Sequence, residues 1–143
     1  EEKKKKEEKD KFMKMSERLN LYKDRQRNNL SENAYGAIVR LRMDNSHPLG
    51  FGYDKEYLSL KLRNRRYAYL ESGWNVGTTQ DSTSIVSGFV GFKAKQNFRE
   101  SLVFGVEEIG RGSVVYMVDN PLFRGFWYNG KLLFGNAVFL VGN

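Results

Sequence analysis

Apolar and polar residues alternate along 37–43 as they do on a half-buried strand. Ile38, Arg40 and Arg42 fall on one face, and Val39, Leu41 and Met43 on the other. Shorter strands are predicted at 57–62, 67–70, 75–77 and 103–107, with the basic turn Arg63-Asn64-Arg65-Arg66 between the first two. Residues 113–118 give the strongest strand pattern. They are apolar on both faces, as a central strand of a covered sheet requires.

Helical periodicity occurs at both ends. Residues 1–27 hold no Gly or Pro, and Phe12, Met15, Leu19 and Tyr22 recur as one stripe. This predicts a helix that is frayed at first, docks from Phe12 and stops at Asn28-Asn29. A short helix is predicted over 93–102. A final one, over 131–140, is capped by Asn129-Gly130 and is apolar on nearly every face, so it should be buried.

Turn residues punctuate the rest. Asp44-Asn45-Ser46-His47-Pro48 is a dense turn signal, followed by an irregular aromatic loop over 49–53. Residues 80–84 read as a polar loop, 87–91 as a glycine-flanked apolar patch, and Gly110-Arg111-Gly112 as a tight turn. Strands interspersed with helices predict an α/β domain with a mixed sheet over 31–143, preceded by a charged helical segment over 1–30.

Composition narrows the chemistry. The chain has 143 residues, 40% hydrophobic and 14% aromatic, which suits one globular domain able to bury its own core. No apolar run is long enough for a membrane-spanning helix. The net charge of +7 is uneven: residues 1–30 carry eleven Lys/Arg against seven Asp/Glu, a net of +4. Such mixed-sign runs mark a solvated helix or a disordered tail, so nucleic acid is not the expected partner. The chain opens within a charge run, with neither Met nor the apolar core of a signal peptide, and reads as a piece of a longer polypeptide.

With one histidine and no cysteine, the chain cannot assemble the usual His-rich or Cys-rich zinc site, nor a thiol nucleophile. His47 also lacks a Ser framed as a nucleophile elbow, which leaves no Ser-His-Asp arrangement. Its plainer role is to hold backbone near Pro48; a ligand or proton-transfer role is the alternative. Glu107 and Glu108 are adjacent on a strand and so face opposite ways, a poor geometry for acid–base work.

Asp119, Asn120 and Arg124 follow the strongest strand, where open α/β sheets bind ligands. They read either as a polar pocket with Arg124 touching an anion or as a side-chain-capped turn. Phe123, Phe126, Trp127 and Tyr128 cluster beside them, and Trp74 and Phe51 can join. This aromatic–Arg cluster could hold a sugar, peptide or nucleic acid, although packing or an interface is the commoner use.

Three stretches carry a family resemblance. The first is Gly36-Ala37-Ile38-Val39 with Asp44-Asn45-Ser46-His47-Pro48-Leu49-Gly50-Phe51-Gly52-Tyr53. The second is Gly73-Trp74-Asn75-Val76-Gly77 with Ser87-Gly88-Phe89-Val90-Gly91. The third is Gly110-Arg111-Gly112-Ser113-Val114-Val115 with Asp119-Asn120-Pro121-Leu122-Phe123-Arg124-Gly125-Phe126-Trp127 and Lys131-Leu132-Leu133-Phe134-Gly135-Asn136-Ala137. Together they make the chain resemble the C-terminal region of large bacterial zinc carboxypeptidases.

The resemblance implies a secreted, periplasmic or extracellular parent whose zinc lies in a separate catalytic domain, with no catalytic, metal or cofactor residue in this chain. It further implies the later part of a class I glutamine amidotransferase-like fold, a mostly parallel sheet flanked by helices, lacking nucleophile and base. The chain would be a non-catalytic accessory domain with a scaffold, interface or substrate-positioning role, the alternative being a stand-alone binding module. Its partners would be the remainder of the parent chain or a second copy, paired through exposed strand edges and an apolar face. The residues singled out for ligand or interface contact are Asp119, Asn120, Arg124, Trp127, His47 and Trp74.

Overall fold

The structure is a computed structural model that describes Met15, Leu19 and residues 21–80 and 84–142. It divides into two compact units, Glu1–Leu30 and Ser31–Asn143. A 3-10 turn at Tyr22–Asp24 in the first leads into helix α1 (Arg25–Glu32), which runs two residues past Leu30, with no buried residue in either element. The helix runs through Asn28-Asn29 rather than ending there. Met15, Leu19 and Tyr22 of the predicted stripe are all exposed, and Phe12 lies outside the described residues.

The second unit is built on a six-stranded sheet: β1 (Ala34–Met43), β2 (Glu56–Lys61), β3 (Trp74–Thr79), β4 (Ile85–Val90), β5 (Ser101–Ile109) and β6 (Gly112–Met117). The order is β2-β1-β3-β5-β6, and β4 also pairs with β1. Every strand pairing among the described residues is antiparallel. This overturns the expected α/β fold. The sheet curls into a half-barrel with few helices, where a mostly parallel sheet flanked by helices was expected. The amidotransferase-like architecture goes with it, because its parallel strands need helical crossovers. Antiparallel neighbours need no such crossover, and β5 turns into β6 through two residues.

Strand β1 organises the curl. It pairs with β2 over residues 37–42, while β4 meets its first half and β3 its last two residues. Register shifts interrupt β1–β4 and β3–β5. Such irregularities sharpen twist and bend a sheet toward closure. The segment expected as a strand at 67–70 contributes only one bridge, Tyr67 to Leu102.

The concave face is the core. Ala37, Val39, Leu41 and Met43 of β1 point into it with Val76, Phe104 and Val106. On β2 the pattern inverts what the leucines suggest. Pairing of Leu41 with Tyr57, Val39 with Ser59 and Ala37 with Lys61 turns Tyr57, Ser59 and Lys61 inward, leaving Leu58 and Leu62 exposed.

The central strand is also not the expected one. Residues 101–106 of β5 are buried on both faces, whereas β6 is an edge strand paired only with β5. The helix expected over 93–102 stops early as α2 (Phe92–Asn97), and Glu100, at φ 46°, turns the chain into β5. The glycine-flanked patch at 87–91 falls mostly within β4.

The final helix, α3 (Asn129–Phe139), lies against the turn Pro48–Gly50 and β2. It is not buried all round: Gly130, Leu133 and Asn136 are buried, and Leu132, Phe134, Val138 and Phe139 are exposed. Nor does Asn129 cap it, since its side chain donates to the Leu58 carbonyl at 3.2 Å. No helix among the described residues is long and apolar enough to cross a membrane.

Candidate functional site

The six residues singled out from the sequence fall in two places. Asp119 begins the first. Its carboxylate accepts from Ser59 Oγ at 2.8 Å and from Lys61 Nζ at 3.2 Å. Lys61 is wholly buried and its ammonium lies 5.0 Å from the Phe98 ring centre. The link from β2 to the segment after β6 is therefore an ion pair inside the core. Two charges are tolerated there because each is paired and hydrogen-bonded.

Lys61 was not singled out by sequence reasoning. The signal available was the alternation of Ser59 and Lys61 with Leu58, Leu60 and Leu62, which points the polar residues to solvent unless a partner draws them in.

The rest of this group is likewise occupied by its own chain. Asn120 Oδ1 accepts from the Leu122 amide at 2.9 Å, closing the turn after β6. Trp127 donates its indole N–H to the Leu58 carbonyl at 3.3 Å. Phe123 packs edge-on against Phe126, and the Arg124 guanidinium lies 5.3 Å from the Phe123 ring centre. Arg124 adopts φ 50°, a left-handed conformation that Gly125 continues. The aromatic–Arg cluster thus packs on itself.

A second seam holds α3 to the half-barrel. Asn136 Nδ2 donates to the carbonyls of Leu49 at 3.1 Å and Phe51 at 2.7 Å. The Tyr53 hydroxyl accepts from the Leu133 amide at 2.8 Å and donates to the Asn129 carbonyl. Burial raises the Tyr53 hydroxyl above its ordinary range and raises that of Tyr57 further, so both stay protonated.

His47 and Trp74 form the second place. Their ring centres are 5.9 Å apart and tilted by 47°. The His47 Nδ1 accepts from the Leu49 amide at 3.0 Å, which fixes the neutral ring with its proton on Nε2. Burial pushes the His47 pKa below its ordinary value, against the pull of Asp44. Asp44 is itself held low, first by the Ser46 hydroxyl at 2.6 Å.

The two rings border a cavity of about 500 Å³ between the β5–β6 turn and the end of α3, with Glu108, Arg111 and Ser113 on its wall. A second hollow of about 590 Å³ lies by Arg42, Lys55 and Tyr69. Glu107 faces away from Glu108. It accepts from Ser72 at 2.5 Å and Tyr116 at 2.8 Å, hydrogen bonds that lower its pKa.

Among the described residues no three of His, Asp and Glu gather as ligands of a metal ion would.

No protein-family model, curated protein or solved structure matches this chain.

Proposed function

We propose that the chain is a non-catalytic domain of an exported bacterial peptidase of the zinc carboxypeptidase type, periplasmic or extracellular, that supports or positions a catalytic domain in the same polypeptide. The observation that carries this reading is what the resembling segments do. The His47 turn, Tyr53, Asn120, Trp127 and Asn136 spend polar side-chain atoms on backbone groups, and Asp119 spends its carboxylate on Ser59 and Lys61. Residues used in that way make a framework rather than a reacting centre. The exposed apolar side of α3, with Leu132, Phe134, Val138 and Phe139, favours contact with further protein.

An antibody raised against residues 31–141 tests this on the exported fraction of the producing cell. The captured polypeptide should be larger than 16.6 kDa and yield peptides containing a His-x-x-Glu segment. Capture of a cytoplasmic chain of only that size would refute it, as would peptide turnover by the purified chain that His47→Ala abolishes.

The stand-alone binding module is favoured by one observation, the cavity beside Trp74.

A further inference from the structure

The cavity at His47 and Trp74 has a wall whose charges make no ion pair among the described residues. Register pairs Trp74 with Val106 and Glu108 with Ser113 across neighbouring strands, which sets these side chains along one face of the sheet. Arg111 stands at the tip of the same hairpin, in the two-residue turn between β5 and β6. Glu108 and Arg111 are both exposed, and neither makes an ion pair among the described residues. Two opposite charges on one small cavity, each free of the other, match a ligand that carries both signs.

We propose that this cavity binds a free L-α-amino acid with an aliphatic side chain, its ammonium directed to Glu108 and its carboxylate to Arg111. The end of α3 strengthens the first contact, because Leu140 and Val141 lie on the cavity wall and the last carbonyls of a helix carry partial negative charge. His47, with its proton on Nε2, supplies a donor beside the Trp74 ring, a second contact available to a carboxylate. Trp74, Val106 and Leu140 give the side chain an apolar surface on the same wall as Ser113.

The volume lies within the range of small-ligand sites. A neutral sugar would leave both charges partly desolvated without a partner, and a simple anion would leave Glu108 so, each at a cost in affinity. The inference rests on this cavity alone and holds whether or not the chain is part of a peptidase.

The test is a titration of the whole chain with L-leucine, followed through the indole N–H signals of Trp74 and Trp127 in 15N-resolved NMR and assigned with Trp74→Phe. A saturable shift of the Trp74 signal is expected, with the Trp127 signal still. N-acetylleucine, which lacks the ammonium, and leucinamide, which lacks the carboxylate, should each bind about tenfold more weakly, as should Glu108→Gln and Arg111→Gln with leucine itself. Both positions are exposed, so unchanged thermal unfolding of the two variants will show that they fold. No shift with leucine up to about 10 mM, a limit that corresponds to binding too weak to be specific, would overturn the proposal. So would an equal response to leucine and its two blocked forms, indifference to both variants, or a response to glucose alone.

Discussion

Removing one partner of the Lys61–Asp119 pair should cost far more than removing both. Lys61 has no exposure and Asp119 very little, so salt and water screen the pair weakly. Lys61→Met leaves the carboxylate with Ser59 as its remaining side-chain partner. Asp119→Ala leaves an ammonium in the core with the Phe98 ring as its nearest compensation. Breaking a buried pair from one side costs about 3–5 kcal/mol, a large part of the roughly 5–15 kcal/mol that holds a domain folded. At about 3 °C per kcal/mol for a chain of this length, each single variant should lose about 10 °C or more in Tm.

The double variant Lys61→Met/Asp119→Leu exchanges the pair for apolar volume. It should recover most of that loss, because the desolvation of two ions disappears with their attraction. Urea unfolding of the four proteins gives the coupling free energy directly. Strictly additive losses, or single variants within about 1 kcal/mol of the parent, would refute the assignment of a buried, mutually dependent pair.

Other substitutions probe the seam and the turns. Asn136→Leu strips donors from the Leu49 and Phe51 carbonyls and should destabilise by about 2–4 kcal/mol, with faster amide exchange across Pro48–Gly50. Gly130→Ala would place a Cβ 1.9 Å from the Pro121 carbonyl oxygen and should cost at least about 3 kcal/mol, whereas Gly135→Ala meets nothing within 4 Å and should raise stability by about 0.5–1 kcal/mol; thermal melts of the two settle both.

The His47 ring is held neutral with a pKa below its ordinary value, so the unfolded chain takes up that proton first as pH falls. The resulting stability is present above the ordinary value of 6.5 and is lost as pH drops from there toward the folded value. A stability profile from pH 7.5 down to 4.5 should therefore be flatter between these two values in His47→Ala, and an unchanged profile would remove His47 from the account.

Local pattern revealed more of this fold than did the resemblance. Alternation along 37–43, the Asp44–Pro48 turn and the helix after Asn129 all depend on neighbours a few residues apart, and all are present. Strand direction depends on which distant segments pair, and periodicity carries no information about that. The apolar run at 113–118 matched a central strand, but a helix end and the concave sheet also half-cover one face of an edge strand, which serves an apolar run equally well. On β2 the inward face was decided by register against β1. A one-residue slip would have placed Leu58, Leu60 and Leu62 in the core and Lys61 in solvent.

The candidate site was legible to the same degree and for the same reason. Residues close in sequence, such as Asp119, Asn120, Arg124 and Trp127, were easy to group, yet Asp119, Asn120 and Trp127 spend their polar side-chain atoms on the fold itself. His47 and Trp74 are 27 positions apart, and only the pairing of β3 with β5 and the turn after β1 sets their rings side by side. Glu108 was weighed only as a partner of Glu107, which the strand turns away from it toward Ser72 and Tyr116. What the half-barrel adds is a neighbour for each: Arg111 across the hairpin turn, and the carbonyl end of α3 beside Trp74. In a parallel sheet β5 and β6 would need a long crossover instead of two residues, and the two opposite charges would not share a wall.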